Sequence, residues 1–148
     1  MKTFWDAAAR EEICGRVDRL RADSAPQWGK FNAAGMLAHL NDAMRMATGD
    51  LPVEPKATPF RYWPIKQLII YVVPFPQGAP TAPELLARTD AARFEDEKGA
   101  FRKVVDQLVA KAAGDTWPEH PAFGRLTHRA WGVLEYKHAD HHLRQFGV

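Results

Sequence analysis

Thr127-His128-Arg129-Ala130-Trp131-Gly132-Val133-Leu134-Glu135-Tyr136-Lys137-His138-Ala139-Asp140-His141-His142-Leu143-Arg144-Gln145-Phe146 reads as one helix. Threonine is a favoured N-cap and glycine a favoured residue just past a helix end, so Thr127 and Gly147 bracket it. Trp131 and Leu134 lie on the same stripe as His138. Upstream, beyond the turn Pro118-Glu119-His120-Pro121-Ala122-Phe123-Gly124, a second pattern runs from Asp90 to Ala113. There Phe94, Phe101, Val105, Leu108 and Ala112 recur at helical spacing and Gly114 stands at the expected C-cap.

Two more helices precede these. Ala33 to about Thr48 follows the N-cap candidate Asn32, carries a wide apolar face of Met36, Leu37, Leu40, Ala43, Met44 and Ala47, and stops at Gly49. Phe4 to about Arg21 spaces Trp5, Ala9, Ile13, Val17 and Leu20 at helical intervals, with Thr3 as its expected cap and Gly15 marking an expected close helix contact. Ser24 to Lys30 is a loop, because proline and glycine interrupt the pattern.

Between Gly49 and Thr89 eight of the eleven prolines fall from Pro52 to Pro83, so no long helix can cross the segment. Tyr62 to Val73 fits either a short buried helix or a strand, and Thr81-Ala82-Pro83-Glu84 has capping-box spacing. Four long helices without a strand pair specify an all-α four-helix bundle filling residues 1–148 as one domain. Short loops make the first pair and the last pair antiparallel. The long proline-rich crossover lets helices two and three run parallel, which gives up-down-down-up order.

Composition narrows the function. Twenty basic against eighteen acidic residues leave a net charge of +2, which gives no electrostatic footprint for nucleic acid. The apolar run Leu68 to Val73 is far short of the roughly 20 residues a membrane span needs. The N-terminus lacks the pattern of a secretory signal, so a cytoplasmic location is expected. Cys14 is the one cysteine, which excludes an intrachain disulfide and a cysteine-based metal cluster.

Any bound metal must therefore be held by histidine or carboxylate. His138 and His142 stand four apart, about 40° around a helix and one turn along it, so both imidazoles can face one ion. His39 is the candidate third ligand because it sits at the edge of the apolar face of its own helix. Three histidines leave a coordination position open for water or substrate, the pattern of a catalytic site, and imidazoles suit zinc, nickel, iron or copper. A hydrogen-bonded core histidine is the structural alternative for His39. His141 could replace His142 as ligand or stand beside the site as a proton shuttle.

Met36-Leu37-Ala38-His39-Leu40 together with His138-Ala139-Asp140-His141-His142-Leu143-Arg144-Gln145 resembles the DinB-like superfamily of metal-dependent four-helix-bundle proteins. Pro26-Gln27-Trp28-Gly29-Lys30, His120-Pro121-Ala122-Phe123-Gly124 and the closing Gln145-Phe146-Gly147-Val148 resemble a subfamily described as a domain of unknown function. The resemblance implies an up-down-down-up bundle holding a divalent ion on His39, His138 and His142. Zinc and nickel come first, with iron and manganese compatible. It also implies thiol-dependent transferase or isomerase chemistry among the characterised relatives.

Gln145, Glu135 and Asp42 each lie one turn from a histidine and are candidates to accept its second ring N–H. Met36, Ala43, Trp131 and Leu134 are expected to make the pocket apolar, with Met46, Phe60, Tyr62, Trp63 and Phe75 as candidate walls or lid. Trp28 and Lys30 could face substrate, or Trp28 could plug the bundle end. Tyr136 and Leu143, on another face, suggest a surface for a homodimer or for the crossover. The expected function is a metal-dependent enzyme that activates a low-molecular-weight thiol or water toward a small-molecule substrate, by transfer or hydrolysis. The competing expectation is a non-catalytic, stress-related bundle that binds metal or a small ligand.

Overall fold

The computed structural model describes residues 1–111 and 113–148, and every regular element in it is helical. In chain order these are α1 (Ala7–Arg19), α2 (Ala33–Thr48), α3 (Ile65–Tyr71), α4 (Phe94–Ala110) and α5 (His128–Gln145), with 3-10 turns at Pro59–Arg61 and Pro83–Leu85. Among the described residues there is no strand, and no helix is long and apolar enough to cross a membrane.

The two helices that carry the histidines begin and end where local chemistry dictates. Asn32 accepts from the Gly35 N–H at 2.7 Å at the start of α2, and Gly49 ends it in the left-handed region. Thr127 accepts from the Ala130 N–H at 3.1 Å, and Gly147 turns the chain left-handed just beyond α5.

Elsewhere the boundaries shift. Asp6, not Thr3, caps α1 by accepting from Ala8, because the backbone of Phe4 is already tied to the Gly132 carbonyl at 3.1 Å and cannot join the helix. Gly15 has nothing within 4 Å of where a Cβ would stand, so it marks no close contact. Gly132 is the close approach instead, since a Cβ there would run into Thr3 and Trp5, whose indole donates to the His128 carbonyl at 2.8 Å.

α4 starts at Phe94 rather than Asp90, since Leu86 to Ala91 form turns held by Thr89 hydrogen bonds to Leu86. It ends at Ala110 rather than Ala113, with Lys111 and not Gly114 at the C-cap: Lys111 turns extended and its ammonium donates to the Thr48 carbonyl at 3.2 Å. Ala112 lies outside the described residues. Thr81 does not cap the turn at Pro83–Leu85, because Ala82 holds the N-cap position and no side chain bonds there. The ambiguous stretch from Tyr62 to Val73 contains the short helix α3, only Ile70 of which is buried.

Cross-links fix which helix ends meet. Phe4 meets Gly132 while Arg16 pairs with Asp140 at 2.7 Å along α1 and α5. Asn41 meets Glu97 while Thr48 meets Lys111 along α2 and α4. Lys98 reaches Leu20 while Arg102 reaches Glu11 between α4 and α1. A main apolar core built on Phe4, Ile13, Met36, Leu37, Phe101, Leu108, Trp131 and Leu143 lies between these helices. A smaller one, of Ile70, Phe123, Ala130, Val133 and Leu134, seats the crossover against α5.

Candidate metal centre

α2 and α5 bring three imidazoles together. The ligand atoms offered by His39, His138 and His142 all lie within 4.8 Å of one another, and the ring centroids are 4.8 to 4.9 Å apart. His39 is 2% exposed. Two residues one turn apart on α5 and one on α2 thus all stand on helices, a rigid arrangement suited to coordination.

Hydrogen bonds decide where the protons sit. Nδ1 of His39 lies 3.2 Å from the Leu85 carbonyl, which can only accept, so the proton is on Nδ1 and the Nε2 lone pair faces the cluster. Gln145 does the same for His142. Its amide nitrogen donates to the Trp28 carbonyl at 2.7 Å, which leaves Oε1 to accept from His142 Nδ1 at 2.8 Å. Gly29 adjoins this link, and a Cβ there would stand 2.5 Å from the Gln145 amide nitrogen. The 3-10 turn of the crossover and the loop before α2 therefore each orient one ring of the cluster.

Electrostatics keep these rings neutral, the form that binds metal. Burial lowers His39, burial and then the nearness of the His39 imidazole, which disfavours a second proton, bring His142 down to about 3, and His138 is driven well below the ordinary histidine range by burial and by the neighbouring imidazoles. Three neutral imidazoles, two of them with Nδ1–H fixed outward, are a donor set that could hold a divalent ion.

The remaining candidates separate. Gln145 accepts from a cluster histidine, whereas Asp42 does not: its carboxylate is taken by Arg45 and Arg88, each at 2.8 Å. Arg88 also holds Glu97, so Asp42 belongs to an ion-pair network between α2, the crossover and α4. Glu135 is buried on α5, and desolvation pushes its carboxyl up to about 8. His141 stays outside the cluster, its ring edge-on to Trp28 at 5.9 Å, Phe75 at 6.1 Å and His142 at 5.2 Å.

Met36, Ala43, Trp131 and Leu134 are all buried, but Trp131 stacks on Trp117 and meets His120 at a tilt, and Leu134 packs with the smaller core. Rings at the cluster come from elsewhere. Phe31 covers His39 and His142 at 5.3 and 5.7 Å, and Phe75 reaches His138 at 6.3 Å. Tyr62 and Trp63 point outward, Trp63 with 80% exposure. Tyr136 and Leu143 pack within the chain itself: Tyr136 lies edge-on to Phe4 and bonds Glu12 of α1, and Leu143 is in the main core.

Two residues escaped sequence reasoning. Phe31 precedes the N-cap of α2, and only its apolar character at that position hinted at packing. His120 sits in a turn closed by paired backbone bonds with Gly124, its Nδ1 accepting from the Ala122 and Phe123 amides. Burial brings its pKa down to about 3, so it stays neutral. The motif His120-Pro121-Ala122-Phe123-Gly124 was the available signal, but spacing alone placed no turn histidine near α5.

The family described as "Protein of unknown function (DUF1569)" matches residues 5–147. No curated protein and no solved structure matches the chain.

Proposed function

The chain belongs to the DUF1569 family, whose description assigns no activity, and from that premise we propose that it is a metal-dependent enzyme acting on a small molecule. The observation that carries this reading is the convergence of His39, His138 and His142 within 4.8 Å, with two proton positions set by Leu85 and Gln145. Zinc and nickel suit such a set best, and iron and manganese are compatible. We further place the chain in the DinB-like superfamily, with its four long helices in up-down-down-up order as one domain. The end-to-end pairings of α1 with α5 and of α2 with α4 support that order.

A divalent ion with three protein ligands supplies an open position at which water or a thiol is made nucleophilic near neutral pH. The chain's own residues prepare that position. Leu85 and Gln145 keep the Nε2 lone pairs of His39 and His142 inward, and Phe31 and Phe75 exclude bulk water. Low local polarity strengthens every charge interaction inside. His141, half-buried between Trp28 and Phe75 and outside the ligand set, stands where it can pass a proton between site and solvent. Hydrolysis and thiol transfer use the same activation.

The test is turnover by the purified protein on a panel of low-molecular-weight thiols paired with electrophiles, and on ester substrates, after chelation and after add-back of zinc or nickel. Activity that vanishes with the ion and returns with it supports the enzyme. Stable, stoichiometric binding of the ion with no turnover across the panel favours the non-catalytic binding protein.

A further inference from the structure

A groove of about 600 Å3 runs along α5, a volume within the range of small-molecule sites. Its wall includes Trp28 from the loop before α2 and Phe75 from the crossover, and His141 rises between them, edge-on to both. Phe75 lies between Pro74 and Pro76, which restrict the backbone that carries it. At the inner end one layer of rings separates the groove from the metal centre: His141 is 5.2 Å from His142, and Phe75 is 6.3 Å from His138.

Charges in the groove are mostly spoken for. Lys2 is held by Glu12, and Lys137 by the carbonyl oxygens of Ile69, Ile70 and Val73 at the end of α3. Arg144, one turn beyond His141, touches Asp140 through Nε at 3.0 Å, and Asp140 is shared with Arg16 at 2.7 Å. One carboxylate therefore serves two guanidiniums, and the Arg144 side chain is 69% exposed at the rim. A guanidinium so placed favours an anionic group, most of all a carboxylate with matching geometry.

We infer that this groove binds a small organic anion beside the three clustered histidines. Its ligand class is an aromatic carboxylate, with the ring between Trp28 and Phe75 against His141 and the carboxylate at Arg144. Edge-on and stacked ring contacts recognise the planar body, and the shared ion pair recognises the charge. Only the ligand's nearness to a bound ion rests on the proposed metal site; its binding stands on the groove alone.

The experiment uses benzoate as probe, with cyclohexanecarboxylate and benzyl alcohol as controls, followed by ligand-detected NMR on the full chain loaded with zinc or with cobalt(II). Benzoate is expected to bind several-fold tighter than either control, and its ring protons to relax faster beside cobalt than beside zinc. Trp28→Leu, which keeps the backbone carbonyl that Gln145 uses, is expected to weaken benzoate about fivefold. Phe75→Leu provides a second variant should the first lose helicity, and Arg144→Gln is expected to weaken benzoate and not benzyl alcohol. Benzoate binding no tighter than both controls, or indifferent to the ring substitutions, overturns the inference. Trp28-dependent binding by protein that retains no cobalt upholds the groove and rejects the metal reading. Cobalt retention without benzoate binding does the reverse.

Discussion

Nε2 of His39 and Nε2 of His138 stand 2.9 Å apart, although the Leu85 carbonyl holds the proton of His39 on its other nitrogen. A lone pair of His39 therefore points at a second ring nitrogen, which must either donate to it or share a cation with it. His142 completes the group from one turn along α5.

Gln145 is expected to matter for affinity out of proportion to its distance from the ion. It links His142 to the Trp28 carbonyl, so Gln145→Leu frees the ring to rotate and to choose either tautomer. Loss of such an outer partner costs about 10- to 100-fold in metal affinity. Competition against a chromophoric chelator measures it, and unchanged affinity in a folded variant contradicts this role.

Stability should pass through a maximum on the slightly acidic side of neutrality. Glu135, raised from 4.5 to about 8, keeps a proton in the native state that the unfolded chain releases, so stability falls as pH rises from about 4.5 to about 8. His120, lowered from 6.5 to about 3, refuses a proton that the unfolded chain accepts, so stability falls as pH drops from about 6.5 toward 3. Urea unfolding in chelator from pH 4 to 9 should show both limbs. Glu135→Gln should flatten the alkaline one, whose slope reaches about 1.4 kcal/mol per pH unit.

Gly132→Ala should destabilise the fold by roughly 1–3 kcal/mol, because its Cβ would enter the space held by Thr3 and Trp5. Gly15→Ala on α1 meets nothing and should stabilise slightly, by about 0.5–1 kcal/mol. Thermal unfolding of the two variants side by side tests the contrast, and equal midpoints would remove the assigned close approach.

Arg88→Ala should unseat the crossover from α2 and α4. It leaves Asp42 and Glu97, both buried, without the guanidinium they share. Asp42 keeps Arg45 and Glu97 keeps Asn41, so the loss should be about 1–3 kcal/mol, that of hydrogen bonds to buried charged groups. Because Leu85 lies on the same segment, metal affinity should fall with stability, whereas Asp42→Asn in the Arg88→Ala background should recover part of both.

Much of this was legible in sequence because it is local. The spacing of His138 and His142 is fixed by helix geometry, and Asn32, Gly49, Thr127 and Gly147 act on amides and carbonyls within a few residues. What was not legible depends on contacts between distant segments. The start of α1 is decided by a backbone bond from Phe4 to Gly132, and Asp42 is drawn from His39 by Arg88 in the crossover. His120 reaches the neighbourhood of His138 only because its turn packs its ring on Trp131. Phe31 likewise comes to the centre from a loop whose path no periodicity encodes, whereas Phe75 was already a candidate wall by its aromatic character.

The claim on which the rest depends is that His39, His138 and His142 hold one ion, and metal content measures it directly. Wild-type protein, chelated and then dialysed against zinc or nickel, should retain about one ion per chain. His39→Ala and His142→Ala should retain almost none while keeping the helical circular dichroism of the parent. Helical variants that bind as much metal as the wild type, or a wild type that binds none, would contradict the account.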